Sequence, residues 1–476
     1  MPNTVSLVWF RQDLRMRDNP ALHMAAQFSG PVVPVFIWSP DDEGGWAPGA
    51  AARVWLAASL EQLDASLAKR KSRLIIRRGP VLETLADLVR ATGARRLFWT
   101  RRYEPAAQAV ERELERAMAA VGVQCQSFNG SLWREPWETA NSGGEPFKVF
   151  TAFWKAHQRA AATGDPLPAP ERLRPPKTWP ASLAVEDLAL RPAIPWDDGI
   201  REAWTPGEAG AHAALTRFIN ESLADYADHR ERPDKTGTSR LSPHLRFGEI
   251  SPRQIRHAVE SAATEANAKG AECFLRELGW REFSYHLLHH YPHTVDESLR
   301  LSFVGFPWRD DPPNFDAWRR GRTGYPLIDA GMRELWRTGW MHNRVRMVVA
   351  SFLTKDLLIP WQTGSRLFWD CLVDADLANN TMGWQWTAGC GADAAPYFRV
   401  FNPVTQAQRF DPQGAYVRRW IPELAALPDR YLHQPWKAPE TALAEASVRL
   451  GHTYPRPIID HAQARIRALD AYNAVR

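Results

Sequence analysis

The chain has 476 residues, enough for two or three domains of ordinary size and for a large buried core. Apolar residues make up 45% of it and charged residues 24%, which excludes a disordered or fibrous protein. The net charge of +5 is a mild basic excess that permits a nucleic-acid partner without requiring one. The unusual feature is the excess of tryptophan, with 22 tryptophans against 10 tyrosines. Core filling alone gives little reason to prefer tryptophan, because a buried indole N–H needs a hydrogen-bond partner.

Cysteine spacing and hydropathy indicate the cellular compartment of the protein. The four cysteines form no CxxC pair and no zinc-type cluster, which favours free thiols in a reducing environment and predicts no metal site. No signal-length apolar stretch precedes Arg11, and no uncharged run approaches the roughly 18 residues of a membrane span. We therefore expect a cytoplasmic protein without membrane association.

Short apolar runs alternate with helical patterns in residues 1–130. The predicted strands are 6–10, 32–38, 73–77, 95–100 and 123–128, and the predicted helices are 53–69, 81–92 and 104–121. This alternation predicts a right-handed, doubly wound parallel sheet, which makes residues 1–130 an α/β domain. No glycine follows the first strand, so the dinucleotide fingerprint and the P-loop are both absent there.

Proline marks a boundary after this domain. Nine prolines fall between residues 166 and 206 without sustained periodicity, which predicts an irregular connector, and we assign residues 131–206 to it. Helical patterns then follow over 208–223, 252–269, 272–290, 327–337, 344–358 and 366–372. Residues 207–476 are therefore predicted to be an all-α domain.

The first polar block of the helical half is a glycine followed by hydroxyl side chains. Gly237 precedes Thr238, Ser239 and Ser242. Backbone N–H groups and hydroxyls in this arrangement are typical of phosphate sites. They also form helix N-caps, so both interpretations stay open at this point.

Two later segments each carry polar and large side chains at helical spacing. Glu277, Trp280 and Arg281 are three and four residues apart, which puts a carboxylate, an indole and a guanidinium on one helix face. A solvated ion pair beside a core tryptophan is the alternative. Residues 343–347 repeat the spacing with an amide, a guanidinium and a thioether, and buried polar groups of this kind need partners.

Two carboxylates and two amides precede two tryptophans in residues 374–386. Asp374 and Asp376 form a DxD pair, which also indicates magnesium, but no phosphotransfer loop accompanies it. Trp384 and Trp386 follow in alternation. A cofactor that needs carboxylate and amide hydrogen bonds beside indoles accounts for more of this block than a helix cap does.

With these blocks in view, the sequence resembles the photolyase/cryptochrome family over essentially its whole length. The resemblance rests on residues 8–15, 237–242, 340–347, 374–386 and 397–403. Residues 36–49 and 133–137 are similar to those of class III cyclobutane pyrimidine dimer photolyases and the related plant cryptochromes. The resemblance implies a deoxyribodipyrimidine photo-lyase, in which excited FADH⁻ passes an electron to a pyrimidine dimer in DNA. It implies an α/β antenna domain, a helical FAD-binding domain and a monomer.

The resemblance also implies a set of FAD contacts, with Arg346 and Asp374 as an ion pair beneath the flavin. That set is Tyr226, Thr238, Ser239, Leu241, Ser242, Arg281, Asn343, Arg346, Asp374, Asp376 and Asn380. Asn380 corresponds to the residue that faces flavin N5, where plant cryptochromes have Asp. An amide cannot donate a proton as a carboxylic acid does, and this favours the fully reduced FADH⁻ form of the flavin.

By the same resemblance, a pocket receives the flipped dimer. Its members are Glu277, Trp280, Asn343, Met347 and Trp386, with the two indoles stacking on bases and with Glu277 and Asn343 bonding the carbonyl edges. A chain of indoles, Trp308, Trp361 and Trp384, is implied to reduce the oxidised flavin, and Arg230, Arg344 and Arg399 are implied at the DNA backbone.

The resemblance leaves the antenna chromophore open and allows two other functions. Ala106 and Ala107 stand where one photolyase class has an Asn-Glu pair for methenyltetrahydrofolate, so we expect that folate in a different site, with Glu43 as a contact, or 8-hydroxy-5-deazaflavin instead. One rival is a blue-light photoreceptor that signals without repair. Plant cryptochromes resembling this chain lack the equivalents of Glu277 and Trp280, and no long signalling tail is expected. A (6-4) photoproduct enzyme would need a histidine pair where only His342 is present.

Overall fold

The computed structural model describes residues 4–159, 164–394, 396–397 and 399–475. The chain forms two compact units. The first consists of Met1–Ala224, Ser239–Pro292 and Val373–Ala378, and the second of Asp225–Thr238, His293–Leu372 and Asn379–Arg476. The predicted domain limits at residues 130 and 207 stay a prediction.

A five-stranded parallel sheet is the framework of the first unit. Its strands are β1 Ser6–Phe10, β2 Val32–Trp38, β3 Ile75–Arg78, β4 Arg96–Thr100 and β5 Gln124–Phe128, in the order β3-β2-β1-β4-β5. This confirms the doubly wound α/β fold. β3 begins later than predicted because the Leu74 N–H donates to the Asp64 carboxylate at 2.7 Å. The order reverses between β1 and β4, and ligands of such sheets bind where the carboxyl ends of the strands meet this point.

Helices alternate with the strands of the sheet, and further helices follow the last strand along the chain. In chain order they are α1 Pro20–Gln27, α2 Ala50–Ala68, α3 Val81–Thr92, α4 Pro105–Ala120, α5 Phe150–Arg159, α6 Asp198–Ala203, α7 Glu208–Glu221, α8 Tyr226–His229, α9 Ser242–Arg246, α10 Pro252–Ser261 and α11 Ala268–His290. α1 was not predicted because it has only eight residues. The Asn19 side chain caps it by accepting the Leu22 N–H at 3.0 Å.

The second unit is helical. Its further helices are α12 Pro312–Arg319, α13 Pro326–Thr338, α14 Asn343–Ser351, α15 Trp361–Cys371, α16 Leu377–Ala388, which begins in the first unit, α17 Pro403–Phe410, α18 Ala415–Trp420, α19 Asp429–Leu432, α20 Glu440–Glu445 and α21 His461–Asn473. No β-strand occurs among the described residues after 207, which confirms the all-α prediction. The predicted helix 344–358 changes to a π turn at Phe352–Asp356, and Leu358 then takes a left-handed φ of 57° that ends it.

The proline-rich segment is mostly irregular, as predicted. Within residues 131–206 the structure forms α5, α6 and short 3₁₀ turns, whereas residues 160–163 lie outside the described part. No helix in the described ranges is both long and apolar enough to cross a bilayer.

Candidate cofactor and substrate site

The carboxylates of the DxD pair have hydroxyl partners within the first unit. Ser242, the first residue of α9, donates its hydroxyl to Asp374 Oδ2 at 2.7 Å. Tyr285 on α11 donates its phenol O–H to Asp376 Oδ2, and burial together with this carboxylate raises the pKa of Tyr285 well above its ordinary value. Both aspartates are buried. The pair is therefore built into a hydrogen-bonded interior, which does not resemble an open magnesium site.

A third carboxylate fixes the loop after β5 to α11. Glu282 is buried and accepts the Trp133 N–H at 3.0 Å and the Arg134 N–H at 3.3 Å. Burial raises the pKa of Glu282 to about 7, although Arg281 and these N–H groups oppose the rise. Arg281 donates to the Ser131 carbonyl at 2.7 Å, and its guanidinium lies 4.8 Å from the Tyr285 ring centroid.

Trp280 is held in a stack of aromatic rings. Its ring lies parallel to that of Phe150, with centroids 3.7 Å apart and planes 10° apart, and the Trp154 ring is also nearly parallel to Phe150, with centroids 6.1 Å apart. Gly279 makes room for this packing, since a Cβ there would lie 2.5 Å from the Trp154 ring. Glu277 is half-buried one turn earlier on α11. One face of the Trp280 indole is thus covered by protein in a fixed orientation.

Gly237, which precedes the hydroxyl residues 238, 239 and 242, lies very close to His229 in the second unit. A Cβ on Gly237 would lie 2.7 Å from the His229 Cβ at the end of α8. Tyr226, which begins α8, is buried, and Thr238 is half-buried. In the first unit, the Ser239 hydroxyl accepts the Leu241 N–H at 3.4 Å.

α14 begins with a buried histidine as its cap. His342 Nδ1 accepts the Arg344 N–H at 3.2 Å, so this nitrogen carries no proton. Burial, reinforced by Arg344 and Arg346, lowers the pKa of His342 to about 3. His342 is therefore a neutral, buried cap of α14. The next residue, Asn343, is exposed.

Three arginines of this region have partners within the second unit. Arg344 forms an ion pair with Glu231, which also lies 3.5 Å from Arg230. Arg346 donates to the Met341 carbonyl at 2.7 Å. Arg399 is exposed. Arg230 and Arg344 therefore share one carboxylate, and the role of all three at the DNA backbone stays a prediction.

Asn380 has a defined amide orientation. Its Nδ2 lies 3.1 Å from the Ser365 carbonyl oxygen and 2.9 Å from the Ser365 hydroxyl. A backbone carbonyl only accepts hydrogen bonds, so the amide nitrogen must face it. Asn380 therefore retains Oδ1 as an acceptor, and it is buried.

The tryptophans implied in electron transfer differ in exposure. Trp384 is buried, with its ring 5.0 Å from Phe368 and 6.4 Å from Trp318. Trp361 is buried and its indole N–H donates to Ser298 Oγ at 3.3 Å. Trp308, Trp386 and the predicted pocket residue Met347 are half-buried.

A cavity in the first unit lies at the carboxyl ends of β1, β2 and β4. It is lined by Trp9, Arg11, Gln12, Phe36, Ile37, Trp38, Ser39, Asp42, Glu43, Pro48, Leu56, Val81, Arg102, Ala107, Val110, Arg246 and Phe247. Glu43 lines it as predicted, but both of its carboxylate oxygens accept from Arg102, at 2.7 and 2.8 Å. Arg102 also acts on Glu104. Burial alone would raise the pKa of Glu104, but the positive charge and hydrogen bonds of Arg102 have the larger effect and lower this pKa to about 2.

Three partners of the predicted residues were missed from the sequence. Tyr285 is four residues after Arg281, so helical spacing was an available signal. Phe150 and Ser365 contact Trp280 and Asn380 from 130 and 15 residues away, and no local pattern marks them. The predicted site residues fall in both units: Ser239, Leu241, Ser242, Glu277, Trp280, Arg281, Asp374 and Asp376 in the first, and Tyr226, Thr238, Asn343, Arg346, Met347, Asn380, Trp384 and Trp386 in the second.

Comparison with known proteins gives consistent matches. Residues 6–171 match the DNA photolyase family and residues 274–474 match the FAD binding domain of DNA photolyase. The chain is 46% identical to the deoxyribodipyrimidine photo-lyase of Agrobacterium fabrum, over 99% of this chain and 98% of that protein. It is 42% identical to Cryptochrome-1 of Arabidopsis thaliana, over 97% of this chain and 69% of that protein. The crystal structure of a bacterial class III photolyase from Agrobacterium tumefaciens superimposes with a TM-score of 0.97 and 45% identity, covering 100% and 98% of the two chains.

Proposed function

The chain belongs to the DNA photolyase family, and from this membership we propose that it repairs cyclobutane pyrimidine dimers in DNA by light-driven electron transfer, as a deoxyribodipyrimidine photo-lyase. The observation that carries the proposal is the stacked Trp280 beside Glu277 on α11. A fixed indole next to a carboxylate offers a stacking surface and a hydrogen-bonding group to a base. A sensor that never handles DNA needs neither.

The donor set of the chain fits FAD. Hydroxyls of Thr238 and Ser239 suit phosphates, and the Ser242 oxygen, whose own O–H donates to Asp374, can accept from a ribityl hydroxyl. The Asn380 acceptor suits the N–H that a reduced flavin carries at N5. The remaining contacts that we propose are Tyr226, Leu241, Arg281, Asn343, Arg346, Asp374 and Asp376. When bound in its reduced form, FAD supplies the electron that opens the dimer on excitation by light.

The pocket residues have separate tasks in this proposal. A dimer must leave the base stack to react, and a damaged, distorted pair lowers the flipping cost of a few kcal/mol. We assign Trp280 and Trp386 to stacking on the flipped bases, with Met347 packing beside them. We assign Glu277 and Asn343 to the carbonyl edges, where negative charge develops during the reaction.

The Phe150 stack prepares Trp280 for this task. A side chain that is already held in one orientation loses little freedom when a base stacks on it. Phe150 is buried and covers one indole face at 3.7 Å, which leaves stacking to the other face. Preorganisation of this kind raises affinity without adding a contact.

For the antenna we propose methenyltetrahydrofolate at the mouth of the cavity at the carboxyl ends of β1, β2 and β4, whose free volume of about 70 Å³ is too small to enclose the whole chromophore. Aromatic side chains, Trp9, Phe36 and Trp38, provide apolar walls for a planar chromophore. Ala107 lines the same cavity in place of a polar residue. A deazaflavin is the competing chromophore, and the absorption spectrum of the purified protein distinguishes the two.

The test separates repair from sensing by two variants. We expect Glu277→Ala to keep FAD and its photoreduction but to lower the repair yield, because charge on the dimer carbonyl loses a partner. We expect Trp280→Ala to weaken lesion binding by about 1 to 3 kcal/mol, the usual cost of losing a base-stacking ring. The assay uses a dimer-containing oligonucleotide under near-UV and blue light, with a dark control. Glu272→Ala, an exposed carboxylate on the same helix, is the matched control.

One result would replace the proposal. If wild-type protein with fully reduced FAD binds the lesion no better than undamaged DNA and restores no bases in light, the blue-light photoreceptor takes its place.

A further inference from the structure

The five parallel strands of the first unit all begin at one edge of the sheet, called here the amino edge. The segments that lead into the strands are residues 4–5, 28–31, 69–74, 93–95 and 121–123. They contain no carboxylate, but they contain five basic residues, which are Lys69, Arg70, Lys71, Arg73 and Arg95. The cavity proposed for the antenna lies at the opposite edge, where strands end. The amino edge is thus a separate, basic feature of the first unit.

Basic residues follow the amino edge from strand to strand. The register puts Val32 of β2, Ser6 of β1 and Arg96 of β4 at one level. The Val32 N–H donates to the Arg174 carbonyl at 2.9 Å, so this arginine of the connector lies at the start of β2. Arg73 comes two residues before β3. The row therefore extends over three strand spacings, from β3 to β4, which is about 14 Å.

Protein contacts hold guanidiniums of the row in place. Arg73 donates to the Pro180 carbonyl at 3.2 Å, and its guanidinium lies 5.4 Å from the Trp179 ring centroid. The Arg96 guanidinium lies 4.0 Å from the Phe28 ring centroid. A guanidinium has five N–H donors, so one bond to a carbonyl leaves others for a ligand. These cations are therefore both ordered and still able to donate.

The amino edge keeps an excess of positive charge when its carboxylates are counted. The carboxylates beside it are Asp64, Asp87, Glu115 and Glu171. Asp87 pairs with Arg90, and Asp64 accepts a backbone N–H at 2.7 Å. The basic side chains are Lys69, Arg70, Lys71, Arg73, Arg90, Arg95, Arg96, Arg172 and Arg174. Lys69 and Lys71 are exposed, and their ammonium groups have no partner within the described ranges. A surface of this sign attracts polyanions.

We propose that the amino edge binds the phosphate backbone of undamaged duplex DNA, through Lys69, Lys71, Arg73 and Arg95. A row of about 14 Å faces roughly four base pairs, at 3.4 Å for each pair along one strand. The rings beside the row, Phe28 and Trp179, are half-buried and lie against guanidiniums, so they offer little stacking surface to the bases of a single strand. Phosphate contacts carry no sequence information, so this site needs no lesion.

The proposed site and the proposed dimer residues of α11 lie on opposite sides of the sheet. Arg281 donates to the Ser131 carbonyl and Glu282 accepts the Trp133 N–H, and both contacts are to the loop after β5. β5 has five residues, which separates this loop from the amino edge by about 16 Å. Trp280 is the neighbour of Arg281. A duplex at the amino edge therefore uses another surface than a dimer at Trp280, and its binding does not depend on repair.

The experiment asks whether the whole protein binds two duplexes at once. In the dark, protein saturated with a dimer-containing duplex is titrated with an undamaged duplex that carries its own fluorescent label, over a series of salt concentrations. We expect wild-type protein to bind this second duplex. In the variant with both Lys69→Gln and Lys71→Gln, we expect the slope of log affinity against log salt to flatten by about 1.8, at roughly 0.9 for each phosphate contact on a duplex.

A matched control tests whether position matters. Arg53→Gln combined with Arg112→Gln removes the same charge from exposed side chains near the start of α2 and in the middle of α4. This control should keep the wild-type slope for the second duplex. The lysine variant should still bind and repair the dimer-containing duplex, which shows that it is folded.

A failure of the proposed repair function is distinguished by the same measurement. If the dimer itself is not bound, the undamaged duplex is titrated into the free protein. The lysine variant should then still differ from the arginine control in its salt slope.

Three results would overturn the proposal. The first is that saturated wild-type protein binds no second duplex. The second is an unchanged slope in the lysine variant, or an equal flattening in the arginine control, which would mean an effect of net charge alone. The third is that undamaged oligothymidylate binds more tightly than the second duplex and loses affinity in the lysine variant, which would make the amino edge a surface for single strands.

Discussion

At the scale of single residues, the partner of a side chain decides which of its atoms can act. Ser365 accepts hydrogen bonds from the amide nitrogen of Asn380, and this leaves the amide oxygen as the atom that can accept a hydrogen bond from a ligand. The sequence predicts the amide but not its orientation, because Ser365 comes from another helix. Trp280 shows the same limit: helical spacing groups it with Glu277, but Phe150, which fixes its plane, has no signal in the sequence.

Trp384 provides a test at this scale. We expect Trp384→Phe to slow light-driven reduction of oxidised FAD strongly, because the implied indole chain is interrupted. Repair by protein reduced chemically beforehand should persist, since Trp384 is buried against Phe368 and Trp318 and is not assigned to the dimer. The measurements are the flavin absorption spectrum during illumination and dimer repair in pre-reduced protein.

The control for this prediction is Trp99→Phe, which removes a buried indole from β4 in the first unit. It should change neither photoreduction nor repair. Loss of repair in pre-reduced Trp384→Phe protein would contradict the separation of tasks.

At the scale of elements, the sequence predicts those whose burial is regular. β1 and β2 are apolar runs buried on both faces, and their existence follows from that pattern. α16 was not predicted, because apolar and polar residues occur all around it instead of on one stripe. It is the helix that carries Asn380, Trp384 and Trp386. A helix with polar and apolar residues on every side therefore gives no amphipathic pattern.

Glycines test how closely these helices pack. A Cβ on Gly364 of α15 would overlap the Trp384 ring and come within 2.6 Å of Leu353. We expect Gly364→Ala to destabilise the protein by about 1 to 3 kcal/mol through overpacking and to impair photoreduction by displacing Trp384. The measurement is urea unfolding together with flavin photoreduction.

Gly383 on α16 is the matched control, because a Cβ there meets no atom within 4 Å. Gly383→Ala should stabilise the protein by roughly 0.5 to 1 kcal/mol, since alanine restricts the unfolded chain and favours a helix. Equal effects of the two substitutions would show that the helices do not pack as described.

At the scale of the whole molecule, buried histidines make stability depend on pH. Burial lowers the pKa of His157 and His286 to about 4 and that of His342 to about 3. The unfolded chain binds these protons near pH 6.5, whereas the folded chain resists them. Their contribution to stability is therefore complete above pH 6.5 and is lost as the pH falls toward 4. Glu282, with a pKa raised to about 7, acts in the opposite direction and offsets one of the three.

His342→Asn isolates one of these groups. Asparagine is a good helix cap, so α14 should still begin at the same place, but it carries no titrating proton. We expect the fall in unfolding free energy between pH 6.5 and 5 to be reduced by up to about 1.4 kcal/mol per pH unit relative to wild type. Urea unfolding at several pH values measures it. The exposed His452→Asn serves as control, and an unchanged pH slope in His342→Asn would contradict a neutral buried cap.

The division of the chain has a consequence for its synthesis. The last piece of the first unit is Val373–Ala378, which is separated from the preceding piece by eighty residues of the second unit. Ser242 and Tyr285 leave the ribosome long before Asp374 and Asp376, their hydrogen-bond partners. The first unit therefore cannot complete its interior as a nascent domain, although domains usually fold in the order of synthesis. Its final folding step must wait until Val373–Ala378 has been translated.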